Sequence, residues 1–254
     1  MRMNGASRTA VAAAALGALL ALTSGCGGGH QGDVGDKEGR GAKGAAGSVA
    51  LTRPPIADAT SARTIPGIGE RLHRRIPADS RQVVAVYGAG RNSATATAVL
   101  YTKSGSNWER TRSWPAHNGK KGWTADHHEG DLRSPIGVFT LSDAGGVLDD
   151  PGARLPYTQD ASFEAPREWE RSHWHDFDYV IAIDYNRVTG TAPDDPERPQ
   201  GDEKGGGIWL HLDHGSGTSA CISVSKSAMR YLLRTLDPDL HPVMVMGDRA
   251  GLKA

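Results

Sequence analysis

The chain has 254 residues but only two cysteines, Cys26 and Cys221. At most one disulfide can form, so a small disulfide-stapled fold is excluded. Charge of one sign is also missing: 29 Lys+Arg are balanced by 29 Asp+Glu. A near-neutral chain has no basic footprint for nucleic acid, and no nucleic-acid partner is expected. Long apolar runs are absent. The most apolar stretch, residues 10–22, is shorter than the ~20 residues a membrane span requires. There is no internal repeat, no cofactor-binding motif and no grouping of ligands with metal spacing. His173 and His175 sit at i, i+2 with no third ligand beside them, so neither a cofactor nor a metal is expected.

What is present begins with an export signal. Arg2 and Arg8 are followed by the uncharged run 10–22 and then by Thr23-Ser24-Gly25, the order of a cleavable signal peptide over residues 1–25. The stretch L-T-S-G-C ending at Cys26 resembles a bacterial lipoprotein signal, which implies lipidation of Cys26 and a membrane anchor at the outer face of the cytoplasmic membrane. An aliphatic residue is usual three places before that cysteine, and here the place holds Thr23. Ordinary secretion with an unlipidated Cys26 is the alternative. Lipidation leaves Cys221 without a disulfide partner in an oxidising compartment. Without it, a 26–221 bridge can form. Residues 26–63 are crowded with Gly, Ala and small charged residues and read as a flexible tether.

After a lead-in over 64–80, whose residues 65–76 suit a short helix, a single domain is expected over 81–248, with 249–254 as a tail. Short apolar segments at 83–87, 95–101, 108–114, 138–141, 179–183, 208–211 and 243–246 read as strands separated by Gly, Pro and Asn turns. The expected fold is mainly β, sandwich- or barrel-like. One helix is clear at 225–236, capped by Ser225, with Ala228, Met229, Leu232, Leu233 and Leu236 on one face and a stop at Asp237-Pro238.

The chemistry gathers in 205–224, G-G-G-I-W-L-H-L-D-H-G-S-G-T-S-A-C-I-S-V. A lone thiol downstream of two histidines is a candidate nucleophile. Cys221 needs a neutral imidazole to take its proton. His211, at the end of an apolar strand, is the first choice, and His214 is the second. Backbone N–H groups of Ala220 and Cys221 are candidate oxyanion donors, with Gly217 or Ser219 as further donors. The helix after Cys221 is expected to place its positive N-terminal end near the sulfur and favour the thiolate. The long loops carry Trp123 and His128, and the strand before His211 carries Trp209. These three are candidates for lining the substrate site.

The segment G-D-L-R-S-P-I-G-V-F at 130–139 resembles the TP-x-G-x-F element of the YkuD-type L,D-transpeptidase catalytic domain. His211 and T-S-A-C-I-S-V at 218–224 occupy the places of that family's histidine and S-H-G-C turn. This looks like a divergent member. Ser219 stands where the family has His, Ala220 where it has Gly and Ser223 where it often has Arg, and the interval from His211 to Cys221 is shorter. The resemblance implies the L,D-transpeptidase fold. It also implies a cysteine acyltransferase acting on peptidoglycan stem peptides, forming 3→3 cross-links through a thioester, or hydrolysing as an L,D-carboxypeptidase. Two other functions compete. One is a catalytically degenerate lipoprotein that only binds cell-wall peptide. The other is a zinc-dependent cell-wall hydrolase with His211, His214 and Cys221 as ligands.

Overall fold

The structure, a computed structural model, describes residues 62–254. The expected signal peptide, Cys26 and nearly all of the expected tether lie outside the described residues. The frame is a mixed sheet of ten strands in the order β6-β12-β1-β2-β3-β11-β10-β9-β7-β8. Its strands are β1 (Gln82–Gly88), β2 (Thr95–Ser104), β3 (Asn107–His117), β6 (Gly137–Thr140), β7 (Ala144–Gly146), β8 (Tyr157–Gln159), β9 (Val180–Ala182), β10 (Trp209–Leu212), β11 (Ile222–Val224) and β12 (Val243–Asp248). A two-stranded parallel pair, β4 (Trp123–Thr124) and β5 (Ser134–Pro135), lies apart from it. The mainly β expectation holds, and the form is one large mixed sheet. Its apolar segments are the expected ones, with β7, β8 and β11 added. Each of the three is only three residues long, too short to show period-2 alternation.

The centre of the sheet is apolar on both faces. Along β1, Val84 and Val86 enter one core while Val83 and Ala85 enter another; along β12, Met244 and Met246 divide from Val243 and Val245 in the same way. Period-2 alternation sends neighbours to opposite sides, so these strands read as unbroken apolar runs because both sides are covered. The helix α2 (Lys226–Thr235) covers the larger core with Ala228, Met229, Leu232 and Leu233. Its N-cap is Ser225, whose hydroxyl accepts from the Ala228 N–H at 3.3 Å, and Asp237-Pro238 follows its end, as read from the sequence.

The second core is closed by two short helices, α1 (Glu70–His73) through Leu72 and α3 (Arg249–Lys253) through Leu252. The lead-in is thus a single helical turn. Residues 249–254, expected as a tail, form α3 instead, with Leu252 fully buried. The cause is a cap: the Asp248 carboxylate accepts from the N–H groups of Ala250 and Gly251. Among the described residues no helix is long and apolar enough to cross a membrane.

Candidate active site

The site is built where β10 and β11 run side by side in parallel, with Leu210 opposite Ile222 and His211 opposite Ser223. Paired residues in neighbouring strands point to the same face, and so do residues two apart on one strand. His211 and Ser223 therefore share a face, and Cys221 stands just before β11. Cys221 and His211 line one cavity of about 590 Å³, together with Phe177, His173, Asp176 and His214. Lys120, Glu168, Trp169 and Glu170 stand on other parts of its lining, and Trp169 is the exposed large apolar residue among those described.

The cysteine turn is clamped from two directions. Thr218 Oγ1 donates to the Cys221 carbonyl at 2.6 Å, and Ser134 Oγ donates to the Ala220 carbonyl at 2.6 Å. Ser134, fully buried, also accepts from the Gly119 N–H at 2.9 Å. The S-P-I-G-V-F element thus reaches the cysteine turn through a hydroxyl that holds it. Ser134 and Thr218 were not singled out in the sequence, although Ser134 heads the element that carries the family resemblance. Ser134→Ala should lower stability by about 1–3 kcal/mol, because Gly119 loses its acceptor. It should also lower kcat by ~10²-fold through misplacement of the turn. Ser134→Thr should restore kcat, and stopped-turnover assays with urea melts of both variants check this.

The Ala220 N–H makes no backbone hydrogen bond outside the sheet ladders among the described residues, and the Cys221 N–H lies beside its own sulfur. Ser219 is exposed on the cavity lining. Gly217 has a different task. A Cβ there would lie 2.7 Å from the Ala94 side chain and 2.9 Å from Lys120 Cα, so glycine is needed for close approach of the chain.

Cys221 is partly exposed and its sulfur is a satisfied thiol. Sγ accepts from the Trp209 N–H at 3.4 Å and donates to the Gly207 carbonyl at 3.7 Å. Burial pushes the thiol up to about 11, against the pull of the Trp209 N–H. The expected helix effect does not operate. Between Cys221 and α2 lies the whole of β11, and at ~3.3 Å per residue the helix end is well outside the last-turn range of its dipole.

His211 is 3% exposed. Its Nδ1–H donates to the Leu212 carbonyl at 2.8 Å, which leaves Nε2 with the lone pair a general base needs. Burial pushes its imidazolium down to about 4, opposed by the Asp176 carboxylate and the Leu212 bond. The ring is held edge-to-face by Phe177 at 5.3 Å, and Phe177 is held the same way by Trp209 at 5.2 Å. No hydrogen bond joins His211 to Sγ in this structure. Ligand-free catalytic pairs are often this loose, and tighten when substrate is present.

His214 lines the same cavity but turns toward the loop carboxylate Asp176. Its side chain is 4% exposed, with Nδ1 3.0 Å from Asp176 Oδ2, and its ring lies 4.1 Å from that of His173. Of the three residues expected to line the substrate site, none does so with its side chain. Trp123 is fully buried, packed so tightly on Gly88 that a Cβ there would come within 2.0 Å of its Nε1. His128 is exposed beside Asp126 and Lys204, outside this cavity. Trp209 supports from behind, its indole donating to the Pro193 carbonyl at 3.0 Å. The cavity's aromatic residues are Trp169 and Phe177 instead. They fall in the irregular loop between β8 and β9, where no periodicity marked them.

The cavity lining thus carries a thiol and a neutral imidazole together. Comparison with known proteins points the same way: the profile of the YkuD family, described as an L,D-transpeptidase catalytic domain, matches residues 92–245. No curated protein matches the chain. Among solved structures the fold is similar to that of Bd1075 from Bdellovibrio bacteriovorus, at 15% identity and a TM-score of 0.36, covering 72% of this chain and 52% of that one. The chain thus spans about half the length of that structure.

Proposed function

We propose that this chain, which belongs to the YkuD family of L,D-transpeptidase catalytic domains, is a working acyltransferase with Cys221 as nucleophile and His211 as base. The observation that carries the reading is that both line one cavity, at the end where β10 and β11 pair. The substrate is a peptidoglycan stem peptide. Sγ–H gives its proton to His211 Nε2 as sulfur attacks the carbonyl carbon preceding the terminal D-alanine. The oxyanion accepts from the N–H groups of Ala220 and Cys221. On collapse the C–N bond breaks, Nε2 protonates the departing amine, and an acyl thioester remains. The amine of a second stem attacks the thioester, losing its proton through His211 and returning Sγ–H. The products are a 3→3 cross-link and free D-alanine. With water as acceptor the same steps hydrolyse the stem.

Charge on the cavity lining suits such partners. Lys120 can meet the terminal carboxylate of the donor, and Glu168 and Glu170 the ammonium of an incoming acceptor. Export and a lipid anchor at Cys26 complete the reading by placing the domain where stem peptides are. This part rests on the sequence of residues 1–26.

A second reading, binding of wall peptide without turnover, draws on Ser219 and Ala220 in the turn and on the high thiol pKa. Incubation with a disaccharide tetrapeptide separates the two. The proposal expects release of D-alanine and, by intact mass, a covalent adduct on Cys221 with a carbapenem. Saturable peptide binding with neither event would leave the binding reading in place.

A further inference from the structure

We propose that His173, Asp176 and His214 form a binding site for a zinc-class divalent cation, on the lining of the same cavity as Cys221. One ligand atom from each of the three lies within 4.8 Å of the others. Asp176 Oδ2 is 2.9 Å from His173 Nδ1 and 3.0 Å from His214 Nδ1. An ion held at ~2.0–2.2 Å by each ligand in tetrahedral geometry sets its ligands ~3.4 Å apart, so the two Asp176 edges need only a slight opening.

A second observation points to a ligand. The His214 side chain is 4% exposed, yet neither of its ring nitrogens makes a hydrogen bond of acceptable geometry. An imidazole is rarely buried in that state without an unseen partner. The backbone holds the group together independently of its side chains. The Asp176 N–H donates to the His173 carbonyl at 3.1 Å, and the Leu212 N–H donates to the Asp176 carbonyl at 2.9 Å. Two imidazoles and one carboxylate suit zinc and its first-row neighbours and do not suit calcium or magnesium, which take oxygen ligands. Three protein ligands leave a fourth position toward the cavity, the pattern of an open zinc site. His211 and Cys221 are not ligands of this site, so the inference does not rest on the acyl-transfer reading.

The test is calorimetric titration of the full chain, free of any histidine tag, with zinc chloride, and a parallel titration with cobalt(II) followed by its visible absorption. One equivalent should bind, with the visible bands of low-coordinate cobalt. His173→Ala and Asp176→Asn should each weaken binding by more than ~100-fold, since even partners one step removed from a metal change affinity by ~10–100-fold. Cys221→Ala should leave affinity unchanged and the spectrum without sulfur charge-transfer bands. His173 is partly exposed, so its variant is expected to fold, and a thermal melt verifies that. No stoichiometric zinc binding, or binding that survives His173→Ala and vanishes with Cys221→Ala, overturns the site. Loss of D-alanine release with zinc binding intact would count against the acyltransferase reading alone.

Discussion

Cys221→Ala is expected to fold, to melt close to the parent protein and to form no acyl-enzyme. The substitution removes one partly exposed sulfur whose two hydrogen bonds, at 3.4 and 3.7 Å, are weak sulfur contacts. The stability change should therefore stay within about 1 kcal/mol. Turnover should fall by at least ~10⁴-fold, because the remaining oxyanion donors and base have nothing to attack with. The parent protein carries a further signature. With the thiol pushed up to about 11, roughly one sulfur in 10⁴ is thiolate at pH 7. Alkylation of Cys221 by iodoacetamide, followed on its peptide by mass spectrometry, should be slow at neutral pH. It should accelerate about tenfold per pH unit up to pH ~10. A rate that levels off near neutrality would show a preformed thiolate–imidazolium pair and sink the general-base mechanism.

That expectation reverses one drawn from the sequence, and the reversal shows what a sequence can carry. The helix at 225–236 was legible because its signals are local: Ser225 as cap, an apolar face at 3- and 4-residue steps, and Asp237-Pro238 as stop. Its distance from Cys221 was not. Ile222–Val224 could be loop or strand by local pattern, and pairing with β10 and β3 made it strand and moved the helix away. Most strands were legible as apolar runs between turns, but their order in the sheet was not. The pairing of His211 with Ser223, which brings the strand histidine alongside the segment that follows Cys221, is a tertiary fact.

Residues far apart in the chain were hidden for the same reason. His173 and His175 looked like a strand pair without a third ligand. In the fold His173 ends a 3-10 turn, His175 turns to Asp178, and the missing partners are Asp176 and His214. Trp123 was misjudged because a tryptophan in a polar loop looks the same whether it lines a site or fills a core. Only the close approach of Gly88 decides. The α3 cap, by contrast, was present in the sequence as Asp248 followed by a short Arg-Ala-Gly-Leu-Lys segment.

His211→Ala carries the second large effect, and its contrast with His214→Ala tests the assignment of the base. A buried general base contributes ~10²–10⁴-fold, and His211 has the required form. Its Nδ1–H is committed to the Leu212 carbonyl, so Nε2 is the acceptor, and burial keeps the ring neutral at neutral pH. Acylation by a carbapenem and D-alanine release should both fall by that factor in His211→Ala. The residual rate should climb steeply with pH, because with no base the reaction draws on the small thiolate fraction of a thiol titrating near 11. Added imidazole should restore part of the rate at pH 7, an outcome a merely structural role would not give. His214→Ala should stay within ~10-fold of the parent, since His214, although on the same cavity lining, turns its Nδ1 to Asp176. If instead His214→Ala abolishes acylation and His211→Ala spares it, the proton must leave sulfur by way of the loop. Asp176 would then orient the base, and the strand histidine would be a packing residue between Phe177 and His214.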